Sequence, residues 1–511
     1  MEYFRSDKFK ARVEGLLEKH RVPGLAIALV HNETVESAAF GLATLDPPTP
    51  CTPDTLFDIA SASKSMTAAS VALLVEDANH PEVQYDAVVS QLLPGDFVMA
   101  TDEYTNNVTL DDILGHRSGY PRHDRSYLGV NAAQPDSAQS VTRNVRNLPP
   151  AHPIRTKFMY NNIMYTVAAY LVENKSGQTF SDWLESRFFK PLDMASSSLQ
   201  PSRARAKGFG HRMAHGYTWD SKKKRQVQLD ILECQDADGA GCIITSVNDY
   251  IKWVKAMMHQ QGPVTEAVYK SMLRARSITN PDGTELPPQT SPVLYAAGLE
   301  LSYYRGNLRV SHAGGVTGFS TKQFFIPGQK FGGVITCNSD SGSVVGSVLV
   351  DELIDEMLQV PDAERPDWHA FETAFEGEDE EEEDIETLEA KVRKEMLGNG
   401  KTEPEPLTRD LESYAGRYWN AGYHDMVVQI KDGKLFVDAS ERSFGFTAVL
   451  SHVASQTKFT FRTADSEDWG GLDSAVSKAE FKVEEGKVAA LGVDLEHDLV
   501  NEWIWFSRQQ D

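Results

Sequence analysis

Residues 56–77 read LFDIASASKSMTAASVALLVED, and the fold turns on how this stretch is parsed. Phe57, Asp58 and Ile59 form a short strand-like approach, and from near Ser61 the residues Ala, Met, Val and Leu make a helix that is apolar all round, which belongs in an interior. In a helix, positions i and i+3 share a face, so the Ser61 hydroxyl and the Lys64 ammonium can meet. A serine hydroxyl is a weak nucleophile until a base takes its proton, and a lysine is such a base only when burial or nearby charge lowers its pKa. The apolar neighbours supply that burial. The helix start adds free backbone N–H groups that favour an oxyanion formed beside Ser61. A Ser-x-x-Lys pair by itself is common in chains of this size, and its plain alternative is a surface helix.

Working outward, residues Ser6 to His20 carry apolar side chains at helical spacing, and Pro23-Gly24 ends the run. LAIALVHNETVESAAFG, residues 25–41, then predicts a strand, a turn around His31, Asn32 and Glu33, and an antiparallel return. From Ile59 to about Pro287 the text is mainly helical, with capping-box starts at Thr179/Asp182 and Ser246/Asp249. Between Leu294 and Asn338 strands return as YAAGLELSYY, NLRVSH, FSTKQFFIP and FGGVITC, and a helix from about Val344 to Leu358 closes the unit. Strands at both ends with helices between them predict an α+β unit: one antiparallel sheet assembled from distant parts of the chain, with a helical subdomain inserted and a cleft where the two meet.

After Pro361 the composition changes. Every residue from Glu378 to Asp384 is acidic, so 361–408 reads as a linker, with a solvated helix over Ile385 to Met396. From Leu411 to Asp511 short alternating runs, such as Met426–Ile430 and Leu435–Asp438 around Asp432-Gly433, predict an all-β barrel or sandwich. The expected division is 1–360, 361–408 and 409–511.

With 511 residues and a net charge of −24, the chain lacks the cationic surface that nucleic acids or anionic membranes require. The N-terminus has no apolar stretch of signal-peptide length, and no segment approaches a membrane span, so the expected compartment is the cytoplasm. The four cysteines, Cys51, Cys234, Cys242 and Cys337, show no zinc spacing and read as buried free thiols. His211 and His215 stand at i and i+4, but no glutamate lies between them and Gly210 and Gly216 discourage a helix, so no metal site is expected. His116 reads as a hydrogen-bonded structural histidine.

Two further elements follow Ser61 and Lys64 in order: Tyr160-Asn161-Asn162 and His312-Ala313-Gly314. With these, and with LGHRSGYP at 114–121 and AGGVTGFS at 313–320, the chain resembles the serine β-lactamase-like superfamily over roughly residues 8–358. The nearest branch is that of class C β-lactamases and D-alanyl-D-alanine carboxypeptidase B, with its esterases, D-aminopeptidases and transesterases. The resemblance implies Ser61 as acyl-accepting nucleophile, Lys64 as its proton partner, and Tyr160 as a second general base that passes the proton to the leaving group. A tyrosine can do this near neutrality only beside cations, and Lys64 is one candidate. Asn162 would bind a substrate carbonyl or hold Lys64. His312 stands where β-lactamases carry the lysine of Lys-Thr-Gly, which moves the expected substrate from β-lactams toward esters, peptides or acyl carriers. Gly314 and Gly315 would let substrate approach the backbone, with the Gly315 N–H joining that of Ser61 in an oxyanion hole.

ESYAGRYWN at 412–420 resembles the start of the lipocalin-like barrel appended to some members, which covers the cleft or serves assembly. The expected activity is hydrolysis of a small ester, amide or peptide through an acyl-enzyme, with no cofactor. Transfer of the acyl group to another acceptor and a non-catalytic ligand-binding role are the alternatives, and a homo-oligomer stays open.

Overall fold

The structure is a computed structural model, and it describes residues 1–284, 286–375, 384–397, 403–499 and 502–509. The acidic run at 378–383 lies outside the described residues.

Nine antiparallel strands form the main sheet, in the order 48–50, 34–45, 24–31, 331–337, 319–326, 307–316, 300–304, 294–295 and 277–278. The N-terminal hairpin therefore sits beside a strand some 300 residues later, with Leu25 opposite Cys337 and Ala28 opposite Val334. Strand Gly24–His31 shows why. Its alternate residues Leu25, Ile27 and Leu29 pack outward with Phe9, Val13 and Leu16 of helix Asp7–Lys19 and with Val345, Val348 and Leu349 of helix Gly342–Met357. Ala26, Ala28 and Val30 face the larger core, where helix Val247–His259 crosses the sheet. Both faces are covered, so the strand reads as a continuous apolar run.

The helical part includes Lys64–Val75 and Asn162–Ser176, which pack on each other. All but Leu73 and Val75 of the first helix are buried, Lys64 included.

Eight strands from Gly416–Asn420 to Ile504–Arg508 close into an antiparallel barrel, the first pairing with the last at Tyr418 and Arg508. The turn at Asp432 and Gly433 has left-handed backbone at both positions, as a two-residue hairpin of this hand needs. Helix Ile385–Leu397 corrects one expectation. It is not a solvated helix but lies on the barrel strands, with Ile385 and Met396 buried and with Lys478 paired to Glu395 at 2.8 Å and Arg462 to Glu386 at 3.2 Å. Its acidic side chains meet barrel cations that the local sequence does not reveal. Helix Trp368–Phe375 packs instead on Gly342–Met357.

Among the described residues no helix is long and apolar enough to cross a membrane.

Candidate active site

Strand Phe57–Asp58 leads into Ala60, whose backbone is left-handed at φ 46°, although it is not a glycine. The Asp58 carboxylate accepts the Ala60 N–H at 2.7 Å and holds this turn. Burial pushes Asp58 up to about 6. A 3-10 turn over Ala60–Ser63 follows, and the α-helix proper starts at Lys64. In a 3-10 turn residues i and i+3 eclipse, which sets Lys64 directly over Ser61.

Lys64 Nζ lies 2.9 Å from Ser61 Oγ, 2.8 Å from Asn162 Oδ1 and 2.7 Å from the Ala240 carbonyl. Asn162 Nδ2 donates to the Asp124 carboxylate at 3.1 Å, so its Oδ1 must face the lysine. Ala240 O and Asn162 Oδ1 only accept. A neutral amine gives its two N–H bonds to them and keeps its lone pair for the Ser61 hydroxyl. Burial first, then the nearby Arg122 guanidinium, hold Lys64 well below the usual lysine value, which favours that neutral form.

Tyr160 lies beside this pair. Lys64 Nζ is 4.9 Å and the Arg122 guanidinium 5.3 Å from the ring centroid. Burial raises the Tyr160 phenol above its ordinary value, while hydrogen bonding with Ser61 and the charge of Arg122 act against it. The resting phenol is therefore protonated, and Arg122 is a cation that lowers its pKa.

Behind Tyr160 runs a chain of buried hydrogen bonds. His116 Nδ1 accepts the Asn161 N–H at 3.1 Å, so its proton sits on Nε2 and is donated to the Tyr295 hydroxyl at 3.2 Å. Tyr295 in turn donates to His312 Nε2 at 3.0 Å, and His312 Nδ1–H donates to the Ala313 carbonyl. Every tautomer is fixed by its partner. Burial, then Lys64, push His312 down to about 3, so it is neutral.

Ser61 opens on a cleft. Arg122, Leu229, Ile231, Cys234, Phe319 and Gly315 line it, and the barrel adds Phe444, Asp468 and Trp469. A Cβ at Gly315 would meet nothing within 4 Å, leaving that backbone open to the cleft. Gly314 is different, since a Cβ there would lie 2.1 Å from Ile59 O, so glycine is required for the sheet to approach the Ser61 turn.

A family model described as Beta-lactamase matches residues 9–350. The chain belongs to the Beta-lactamase family. A second model, a domain of unknown function (DUF3471), matches residues 401–508. An unguisins hydrolase of Aspergillus campestris (strain IBT 28561) is 31% identical over 98% of this chain and 92% of its own length. Among solved structures, the octameric penicillin-binding protein homologue from Pyrococcus abyssi has the same fold at a TM-score of 0.59 and 19% identity, covering 98% of this chain and 99% of that one. The D-amino acid amidase from Ochrobactrum anthropi SV3 gives 0.54 at 22% identity, over 69% of this chain and 98% of its own. The fold is that of a β-lactamase-family serine hydrolase followed by a closed barrel.

Within this family frame the structure brings Ser61, Lys64, Tyr160 and Asn162 together and puts Gly315 on the cleft. His312 and Gly314 do not line the cleft. The His312 ring lies 6.4 Å from that of Tyr160 and is bonded to Tyr295. Asn162 lines the cleft, and its amide is turned to Lys64 and Asp124.

Arg122, Asp124, Tyr295 and the Ala240 carbonyl were missed in the sequence. Arg122 and Asp124 follow the LGHRSGYP motif directly, and their nearness to it is the signal available. A backbone carbonyl has no signal at all. Of the cysteines, Cys51, Cys242 and Cys337 are buried, but Cys234 is half-buried on the cleft wall, and all four are free. His215 pairs with Asp230 at 2.9 Å. Among the described residues no group of three or more His, Cys, Asp or Glu side chains is placed to hold a metal ion.

Proposed function

We propose that this protein hydrolyses an amide or ester bond through an acyl-enzyme on Ser61. The observation that carries the reading is the fully buried Lys64 amine, whose two acceptor-only partners leave its lone pair to the Ser61 hydroxyl 2.9 Å away.

In this reading the Ser61 oxygen attacks the substrate carbonyl while its proton passes to Lys64 Nζ. The negative charge on the carbonyl oxygen is met by the backbone N–H groups of Ser61 and Gly315. As the carbon–nitrogen or carbon–oxygen bond breaks, the Tyr160 hydroxyl protonates the leaving group and is reprotonated from Lys64. Water then attacks the ester on Ser61, the same groups acting in reverse, and the free acid leaves. Neutral His312 supports this through Tyr295 and Tyr160 and supplies no charge, which speaks for substrates other than β-lactams.

The acyl side is apolar, because Leu229, Ile231, Phe319, Phe444 and Trp469 surround the nucleophile. The hydrolase name of the Aspergillus relative supports hydrolysis over transfer. The barrel, by contributing Phe444 and Trp469, forms one wall of the cleft and limits the acyl groups that fit.

A fluorophosphonate probe and p-nitrophenyl acetate test this. Wild type is expected to be labelled and to turn over the ester, and Ser61→Ala to do neither. Equal labelling and turnover by both would refute the assignment.

A further inference from the structure

We propose that the C-terminal barrel is a positioning element for the catalytic lysine: Tyr423 and Glu496 hold His123, and through the adjoining Asp124 and Asn162 they orient the Lys64 amine toward Ser61. This rests on the reading of Lys64 as the base.

The contacts form an unbroken path. His123 Nε2 faces the Pro149 carbonyl at 2.8 Å, which only accepts, so that nitrogen carries the proton. Its Nδ1 therefore accepts from the Tyr423 hydroxyl at 2.7 Å. The Glu496 carboxylate accepts the His123 backbone N–H at 2.7 Å. His123 is wholly buried, with left-handed backbone at φ 50°, a conformation that a non-glycine residue keeps only when its surroundings hold it. Burial pushes its imidazole down to about 4, so it acts as a neutral wedge.

The next residue, Asp124, accepts from Asn162 Nδ2 at 3.1 Å and from Arg122 Nε at 2.7 Å. Asn162 Oδ1 accepts from Lys64 at 2.8 Å. The barrel keeps its grip past this point. Arg442 donates to the Arg125 carbonyl at 2.8 Å, and the Gly129 N–H donates to Glu441 O at 2.8 Å. Gly129 is needed there, because a Cβ would lie 2.9 Å from the Ser443 nitrogen.

A loosened clasp lets water reach Lys64. The lysine would then move back toward its ordinary pKa, and the neutral amine would appear only at higher pH. The groups facing Lys64 are Arg122, Asp124, Cys242, His116, His312 and the rings of Tyr160 and Tyr165. Of these, Arg122 and Asp124 ride on the clasped loop.

The test is the pH profile of fluorophosphonate labelling in the full chain. Tyr423→Phe is expected to slow labelling roughly tenfold and to move the acid limb to higher pH. Tyr418→Phe removes another barrel hydroxyl, one that bonds only within the barrel to Tyr414 O at 2.6 Å, and should move neither. Should Tyr423→Phe fail to fold, Glu496→Ala, which removes the acceptor of the His123 N–H, gives the same readout, with the shift in the same direction. A limb that stays in place, or an effect matched by Tyr418→Phe, overturns the proposal and leaves the barrel as a wall alone. Labelling of Ser61→Ala at the wild-type rate would instead overturn the underlying reading, a distinct result.

Discussion

Two loops fix the acceptors of Lys64, one directly through Ala240 O and one through the Asp124 carboxylate that orients Asn162, and they are held in different ways. The loop at 239–242, which carries Ala240 O, is pinned by its own domain: Thr67 Oγ1 on the Lys64 helix donates to Gly239 O at 2.7 Å. The loop at 122–129, which carries Asp124, is pinned largely by the barrel some 300 residues further along the chain. One acceptor is built in where the helix is built. The other depends on a second folding unit being docked. A lysine held from both sides is thus expected to respond to changes in either unit.

The largest effect should come from removing what both segments serve. Lys64→Met is expected to cut p-nitrophenyl acetate turnover by on the order of 10³-fold while the protein stays folded, as read by steady-state kinetics and circular dichroism.

Next is the built-in side. Gly239 has φ +87°, and a Cβ there would lie 2.5 Å from Tyr165 O. Gly239→Ala should lower stability by roughly 2–4 kcal/mol, with activity falling alongside it, measurable by urea unfolding followed with a labelling assay.

The barrel-held side should respond in pH rather than in stability. Lys64 works as a base only above its own pKa, so the rate rises with pH through that value. The negative Asp124 favours the ammonium and Arg122 disfavours it. Asp124→Asn should therefore move the acid limb to lower pH and reduce kcat roughly tenfold, and Arg122→Met should move the limb to higher pH. Shifts of the same sign in both variants would break the comparison.

Much of this comparison was hidden in the sequence, for reasons that differ by residue. Ser61 and Lys64 are three positions apart in an apolar helix, so their meeting follows from helix geometry alone. The sheet was legible because alternating strands at both ends of the first 360 residues need partners, and the barrel because its hairpin turns are marked by pairs such as Asp432-Gly433. Arg122, Asp124 and His123 lie in an irregular loop with no period, and their partners come from Asn162, Tyr423 and Glu496, a pairing that only tertiary packing decides. His312 shows the opposite case: its motif position is plain in the sequence, but the burial that turns it to Tyr295 is not. The acidic residues of helix Ile385–Leu397 suggest a solvated face, because the barrel cations that meet them, Arg462 and Lys478, lie about 80 residues away in the sequence.

The smallest effect is expected at the cleft mouth. Trp469→Ala opens the barrel wall and should change KM a few-fold for long-chain p-nitrophenyl esters while leaving the acetate ester unaffected, which a chain-length series would show.

The central claim is that acyl groups pass through Ser61. Brief incubation with a p-nitrophenyl ester, acid quench and peptide mass mapping read this directly. The account predicts an added acyl mass on the peptide containing Ser61, absent in Ser61→Ala. Ester turnover with the adduct on another residue, or with no adduct and undiminished in Ser61→Ala, would contradict it.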